Sequence, residues 1–164
     1  MKVYFFILVL FVCSFSNAQC LELRQFKKQI KSNSIFVVSN TQLAFKNIQN
    51  ASFSTQSNQV IEMINEALYL SEEAEDVSNS MGRELEEVRN TFDECGFYLP
   101  LDELEVLEQS AILAGEFLRF AHIEMSKINE HTSDKKKNKI VSSILAHLTK
   151  AMQEHEIFSE LVYH

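Results

Sequence analysis

The chain has 164 residues, with 15 Lys and Arg against 23 Asp and Glu for a formal charge of −8; it contains three Gly, one Pro and no Trp. That length suits one domain, so few Gly and Pro argue against a turn-rich all-β fold, and 46% hydrophobic residues argue against wholesale disorder. The acidic balance argues against general nucleic-acid binding, because neutralising phosphates takes Lys and Arg.

The first segment reads as an address. Met1-Lys2 is a short positive start, Val3 to Phe15 is apolar apart from Tyr4, Cys13 and Ser14, and Ser16-Asn17-Ala18 supplies small residues before a cut between Ala18 and Gln19. This is the layout of a secretory signal peptide, and the apolar run is shorter than the ~20 residues of a membrane span. The expected domains are therefore a signal peptide over 1–18 and a single helical bundle over 19–164. The mature chain is expected to be secreted or periplasmic, with no transmembrane segment. The alternatives are a buried N-terminal helix and lipidation of Cys20. Lipidation is disfavoured because Gln19, not a small residue, precedes the cysteine.

The remainder is helical in pattern. The first stripe, Leu23, Ile30, Ser34, Val37, Thr41, Ala44 and Ile48, is the weakest because of its polar interior positions. Asn50 to Ser57 is polar and small, as a loop should be, and Asn50-Ala51-Ser52 within it is a glycosylation sequon. From Val60 the second stripe alternates steps of four and three through Ile64, Ala67, Ser71, Ala74, Ser78, Met81, Leu85, Val88, Phe92 and Cys95. That is the seam of a helix in a left-handed bundle. Cys95-Gly96 ends it and Pro100 follows. Asp102 is expected to cap the third helix with Glu105 completing a capping box, and Leu101 and Val106 are placed for a hydrophobic staple. The third stripe runs Leu104, Leu107, Ala111, Ala114, Leu118, Ala121, Met125, Ile128. Thr132-Ser133-Asp134 offers caps before the fourth, Val141, Ile144, Leu148, Ala151, His155, Phe158, Val162.

Four long helices joined by short connections predict an all-α, antiparallel up-and-down four-helix bundle, roughly 45 Å long at 1.5 Å per residue. The start of the first helix and the end of the second then share one end of the bundle. Cys20 and Cys95, the two cysteines left after export, are expected to form a disulfide there, adding about 4–5 kcal/mol by loop-closure entropy. Folding the third helix back on the second sets Ala74 and Ser78 near Leu118 and Ala121, and Met81 near Ala114 and Gly115. The alternative is that Ser71, Ala74, Ser78 and Ala121 leave room for a small apolar ligand.

Motifs for chemistry are sparse. His122, His131, His147, His155 and His164 contain no pair four apart, and no Glu-x-x-His occurs, so neither a paired-His metal site nor a di-iron signature is present. His155 lies on an apolar stripe and reads as a core histidine; His122 and His147 are the one pair that two helices could bring together. There is no C-x-x-C, G-x-S-x-G, phosphate loop or Ca²⁺ loop. No cofactor is expected.

Charge is unevenly spread. From Val60 to Ser110 acids far outnumber bases, and Glu72, Glu73, Glu75 and Asp76 are the densest cluster. Arg24, Lys27, Lys28, Lys31 and Lys46 make the first helix basic. Lys135, Lys136, Lys137 and Lys139 open the fourth, against the helix dipole. The bland reading of each run is a solvated face. The functional expectation is an exported, non-enzymatic binding or inhibitor protein, its carboxylates Glu72, Glu73, Glu75 and Asp76 docking a protein with a basic surface. A carrier of a small apolar ligand between the second and third helices is the alternative. A homodimer is left open, since a second chain also completes long seams.

Overall fold

Steps of four and three put one residue per turn on a single helix face, and burying that face is what assembles this chain. In the computed structural model it forms α1 (Lys2–Phe53), α2 (Ser57–Thr91), α3 (Leu101–Met125) and α4 (Asp134–Tyr163), with no strand among the described residues. The structure describes residues 2–54, 57–91, 101–129 and 131–163; side chains are described from 25 to 158, except at 55–57, 90–101 and 130. Each helix packs on its two neighbours, α1 on α2, α2 on α3, α3 on α4 and α4 on α1, closing a four-helix bundle.

Neighbours run antiparallel. Gln29 Nε2 donates to Glu84 at 3.3 Å and Asn40 Nδ2 to Glu73 at 3.4 Å, so advancing along α1 retreats along α2 by the same number of residues. Ser78 with Ala111, and Arg89 with Glu108, set the same sense between α2 and α3. Phe117 beside Lys150, and Phe120 beside His147, set it between α3 and α4. The approaches of Gly82 to Ile112 and of Gly115 to Asn79 lie within one helical turn of the register expected from the sequence, whereas Ser78 bonds to Ala111, seven residues short of the expected Leu118.

Wherever their side chains are described, the stripes are buried, except at Val88 near the end of α2, which is half-buried. Val60 through Leu85, Leu104 through Met125, and Val141 through Phe158 lie in the core at the expected positions. The polar members of the α1 stripe, Ser34 and Thr41, are buried too, and Thr41 meets its own hydrogen-bonding need by donating to the Val37 carbonyl at 2.7 Å. Between α2 and α3 the approach is close at two glycines. A Cβ on Gly82 would stand 2.9 Å from Cγ1 of Ile112, and one on Gly115 would meet the amide end of Asn79. Small residues here let two backbones come together.

Four boundaries differ from expectation. The expected loop from Asn50 to Ser57 shrinks, because α1 continues to Phe53. Ala51 extends the buried stripe beyond Ile48, and Ser54 N closes on Asn50 O at 3.1 Å. The sequon thus sits in the last turn of a helix rather than in a loop, with Asn50 exposed and the Ser52 hydroxyl donating to Gln49 O. At the other end α1 begins at Lys2, well ahead of Leu23, the first residue of its stripe. Ile128 is buried but follows α3, held by a tight turn in which its N–H reaches Met125 O at 3.0 Å. Asp102 is the second residue of α3, where its charge favours the positive end of the dipole; residues 92–100, which would show the entry into this helix, lie outside the described residues.

Before α4, Thr132 does not cap the helix. Its hydroxyl knits a turn with Asn129 instead, accepting from Asn129 N at 2.9 Å while His131 N donates to Asn129 Oδ1 at 3.0 Å. Ser133 fills the cap position, its carbonyl accepting from Lys137 N at 2.8 Å.

Candidate functional site

Consecutive helical positions point in different directions, so the acidic cluster on α2 fans around the helix. Glu72 and Asp76 are exposed. Glu73 turns toward α1, accepting from Asn40 and from the Tyr69 hydroxyl one turn earlier. That bond to a carboxylate raises the Tyr69 pKa above its ordinary value, as the nearby negative charge also does. Glu75 turns toward α3. Partial burial pushes its pKa up, while His122 and Arg119 pull it down and Asp76 and Glu72 push it further up. The four carboxylates therefore form an arc spanning the outer half of α2 and bordering both neighbouring helices.

The arc belongs to a longer ridge. Among the described side chains of α2, the exposed charged residues are Glu62, Glu66, Glu72, Asp76, Glu86 and Glu87, with Arg83 the one base. Tyr69, 58% exposed, stands within it. Beside it α1 carries Phe36 and Leu43, 40% and 50% exposed. These two were not singled out from the sequence, because they lie off the buried stripe. Their signal was their spacing of seven, which continues from Gln29 and keeps all three on one side of α1.

The small-residue layer is core. Ser71, Ala74, Ser78 and Ala121 are all fully buried, Ser71 donating to Leu68 O at 2.9 Å and Ser78 to Ala111 O at 2.7 Å. His155 of α4 reaches the same place, its Nε2 3.4 Å from the Ser78 oxygen and its ring against Phe158. One node thus joins α2, α3 and α4. Burial drives the His155 pKa down from 6.5 to about 4, so the ring is neutral at ordinary pH. The space beside Ser78 that the carrier alternative would give to a ligand borders this imidazole.

The two histidines weighed as a pair face different ways. His122 lies on the α2 side of α3, near Glu75, whereas His147 packs against Phe117 and Phe120 at ring separations of 6.4 and 5.5 Å. Among the described residues no group of three or more His, Cys, Asp and Glu is arranged to hold a metal. Of the lysines opening α4, Lys137 pairs with Asp134 at 3.5 Å, and Lys135, Lys136 and Lys139 are exposed. Cys20 falls within α1, and Cys95 lies outside the described residues. Among the described residues no helix is long and apolar enough to cross a membrane.

The arrangement offers a charged, partly apolar outer surface on α1 and α2. Comparison with family models, with curated proteins and with solved structures finds no match, so the reading of this bundle rests on its own residues.

Proposed function

We propose that this chain is an exported, non-enzymatic binding or inhibitor protein that docks a partner with a basic surface on the outer face of α2. The observation that carries the reading is the ridge itself: six exposed carboxylates against one exposed arginine along a helix whose opposite face is fully committed to the core. Opposed charges across such a surface speed encounter and select the partner by sign. Glu72 and Asp76, pointing outward, make the first contacts, while Glu73 and Glu75 are held at the two edges. Neutralising all four (Glu72→Gln, Glu73→Gln, Glu75→Gln, Asp76→Asn) is expected to abolish recovery of basic proteins in pull-downs from the extracytoplasmic fraction of producing cells. Equal recovery by the neutralised variant would sink the reading.

Export and the disulfide complete the proposal. Removal of 1–18 leaves Cys20 near the new N-terminus. The antiparallel packing of α1 on α2 supports pairing, because it brings the start of the α1 stripe and the end of α2 toward one end of the bundle. An intact mass equal to Gln19–His164 less two hydrogens, measured without reductant, is the expected result. A retained leader, an acyl adduct on Cys20 or two free thiols would each refute a stated part.

A further inference from the structure

The ridge has an apolar neighbour whose position is fixed by the two α1–α2 hydrogen bonds. Gln29 reaches Glu84, and Phe36 and Leu43 follow Gln29 at intervals of seven, so they share its side of α1. On α2, Leu70 and Val77 precede Glu84 at the same intervals; both are partly buried against the core and form the floor of the seam. The register sets Phe36 level with Val77 and Leu43 level with Leu70. The far wall is polar and acidic: Glu73, bonded across the seam to Asn40, with Glu66 seven residues before it, and Tyr69 with Asp76 seven after it.

Charge on the two walls is opposite in kind. Between Gln25 and Phe53, α1 contains no Asp or Glu, and Lys46 lies one turn beyond Leu43. The groove is thus apolar along its middle, acidic on the α2 side alone and weakly basic on the α1 side. An anionic lipid surface meets repulsion from the α2 wall, and a second copy presents the same excess of carboxylates. A basic amphipathic segment satisfies both walls.

We propose that the α1/α2 groove receives an amphipathic helix of a partner protein, with an apolar stripe on Phe36, Leu43, Leu70 and Val77 and with lysines or arginines on one flank only, facing Glu66, Glu73 and Asp76. This rests on the protein-binding reading above and specifies its ligand. A helix laid in such a groove reads as apolar anchors at every turn. Tyr69 adds a large ring with a polar tip at the border between stripe and charge, where such side chains serve interfaces well. The one-sided acidity fixes the direction in which the helix lies, because reversing it would bring its cations against Lys46.

The test uses the full mature chain and defined probes. The first probe is a Leu/Lys helical peptide of about 18 residues, long enough to follow the ~26 Å of α1 from Phe36 to Phe53, with all lysines on one flank of the leucine stripe. The second has the same composition shuffled so that no stripe forms. By titration calorimetry the first is expected to bind at least tenfold tighter than the second. Phe36→Ser with Leu43→Ser, and separately Glu66→Gln with Asp76→Asn, are each expected to cost at least tenfold with an unchanged helical signal, since all four side chains are exposed. Equal binding of both peptides would overturn the groove while leaving the acidic ridge standing. Binding of neither would overturn both readings. Binding to phosphatidylglycerol vesicles that is lost with Phe36→Ser and Leu43→Ser would reassign the groove to lipid and overturn the proposal.

Discussion

Between pH 6.5 and pH 4 the folded chain is expected to lose about 3 kcal/mol of stability through His155 alone, the free energy of moving one pKa by some 2.5 units. The sign follows from proton binding. His155 titrates near 6.5 in the unfolded chain and near about 4 in the bundle. Above pH 6.5 both states hold it neutral, and its full contribution to stability is present. As pH falls from 6.5 to about 4, the unfolded chain takes up the proton first and gains relative to the folded one. Below about 4 both states carry the proton and the loss levels off. The cause is burial among Phe158, Ser78 and the α2–α3 seam, where an imidazolium has no water. Denaturant midpoints at pH 7, 5.5 and 4.5, compared between the native chain and His155→Leu, provide the check. The variant keeps the bond from Ser78 to Ala111 and loses the titrating ring, so its stability should fall less over this interval. Parallel pH profiles would show that His155 is not held neutral in the core.

Arg89→Ala is expected to destabilise the fold by about 2 kcal/mol, because it strands the Glu108 carboxylate. Arg89 Nε stands 3.2 Å from Glu108 Oε2, with side-chain exposures of 30% and 8%, and the two are out of line for a hydrogen bond. The attraction is therefore mainly Coulombic, between one half-buried charge and one deeply buried charge. Partial exposure of the arginine screens the pair, which sets the expected loss below the 3–5 kcal/mol typical of a fully buried pair broken on one side. Replacing both partners by apolar residues of similar size, Arg89→Met with Glu108→Leu, should restore most or all of the stability. Chemical denaturation of the single and double variants closes the cycle. A double variant as unstable as Arg89→Ala would mean that packing, not the stranded charge, carries the effect.

Most of the bundle was legible in the chain because its apolar spacing is regular and its breaks are few. The four-three step is a local property, so the stripes of α2, α3 and α4 could be traced residue by residue, polar members such as Ser71, Ser78 and His155 included. Boundaries were less legible. The polar Asn50–Ser57 segment looks like a loop by composition, but burial of Ala51 carries the helix to Phe53, one residue past the sequon. Thr132 looks like a cap by type, but Asn129 claims its hydroxyl. Burial against the core decided the first, and a competing local turn decided the second.

The docking surface divides in the same way. Composition alone marked α2 as acidic and α1 as basic, and it named Glu72, Glu73, Glu75 and Asp76. It did not show that these four point in different directions, with Glu73 engaged by Asn40 and Tyr69 on one side and Glu75 beside His122 and Arg119 on the other. Nor did it show Phe36 and Leu43 level with Val77 and Leu70. Periodicity along one helix determines which face is buried, since it depends only on residues three and four apart. Which exposed residues of two helices stand side by side depends on the offset between them. That offset is decided by tertiary packing, here by Gly82 against Ile112, Gly115 against Asn79, and the bonds from Gln29 to Glu84 and Asn40 to Glu73.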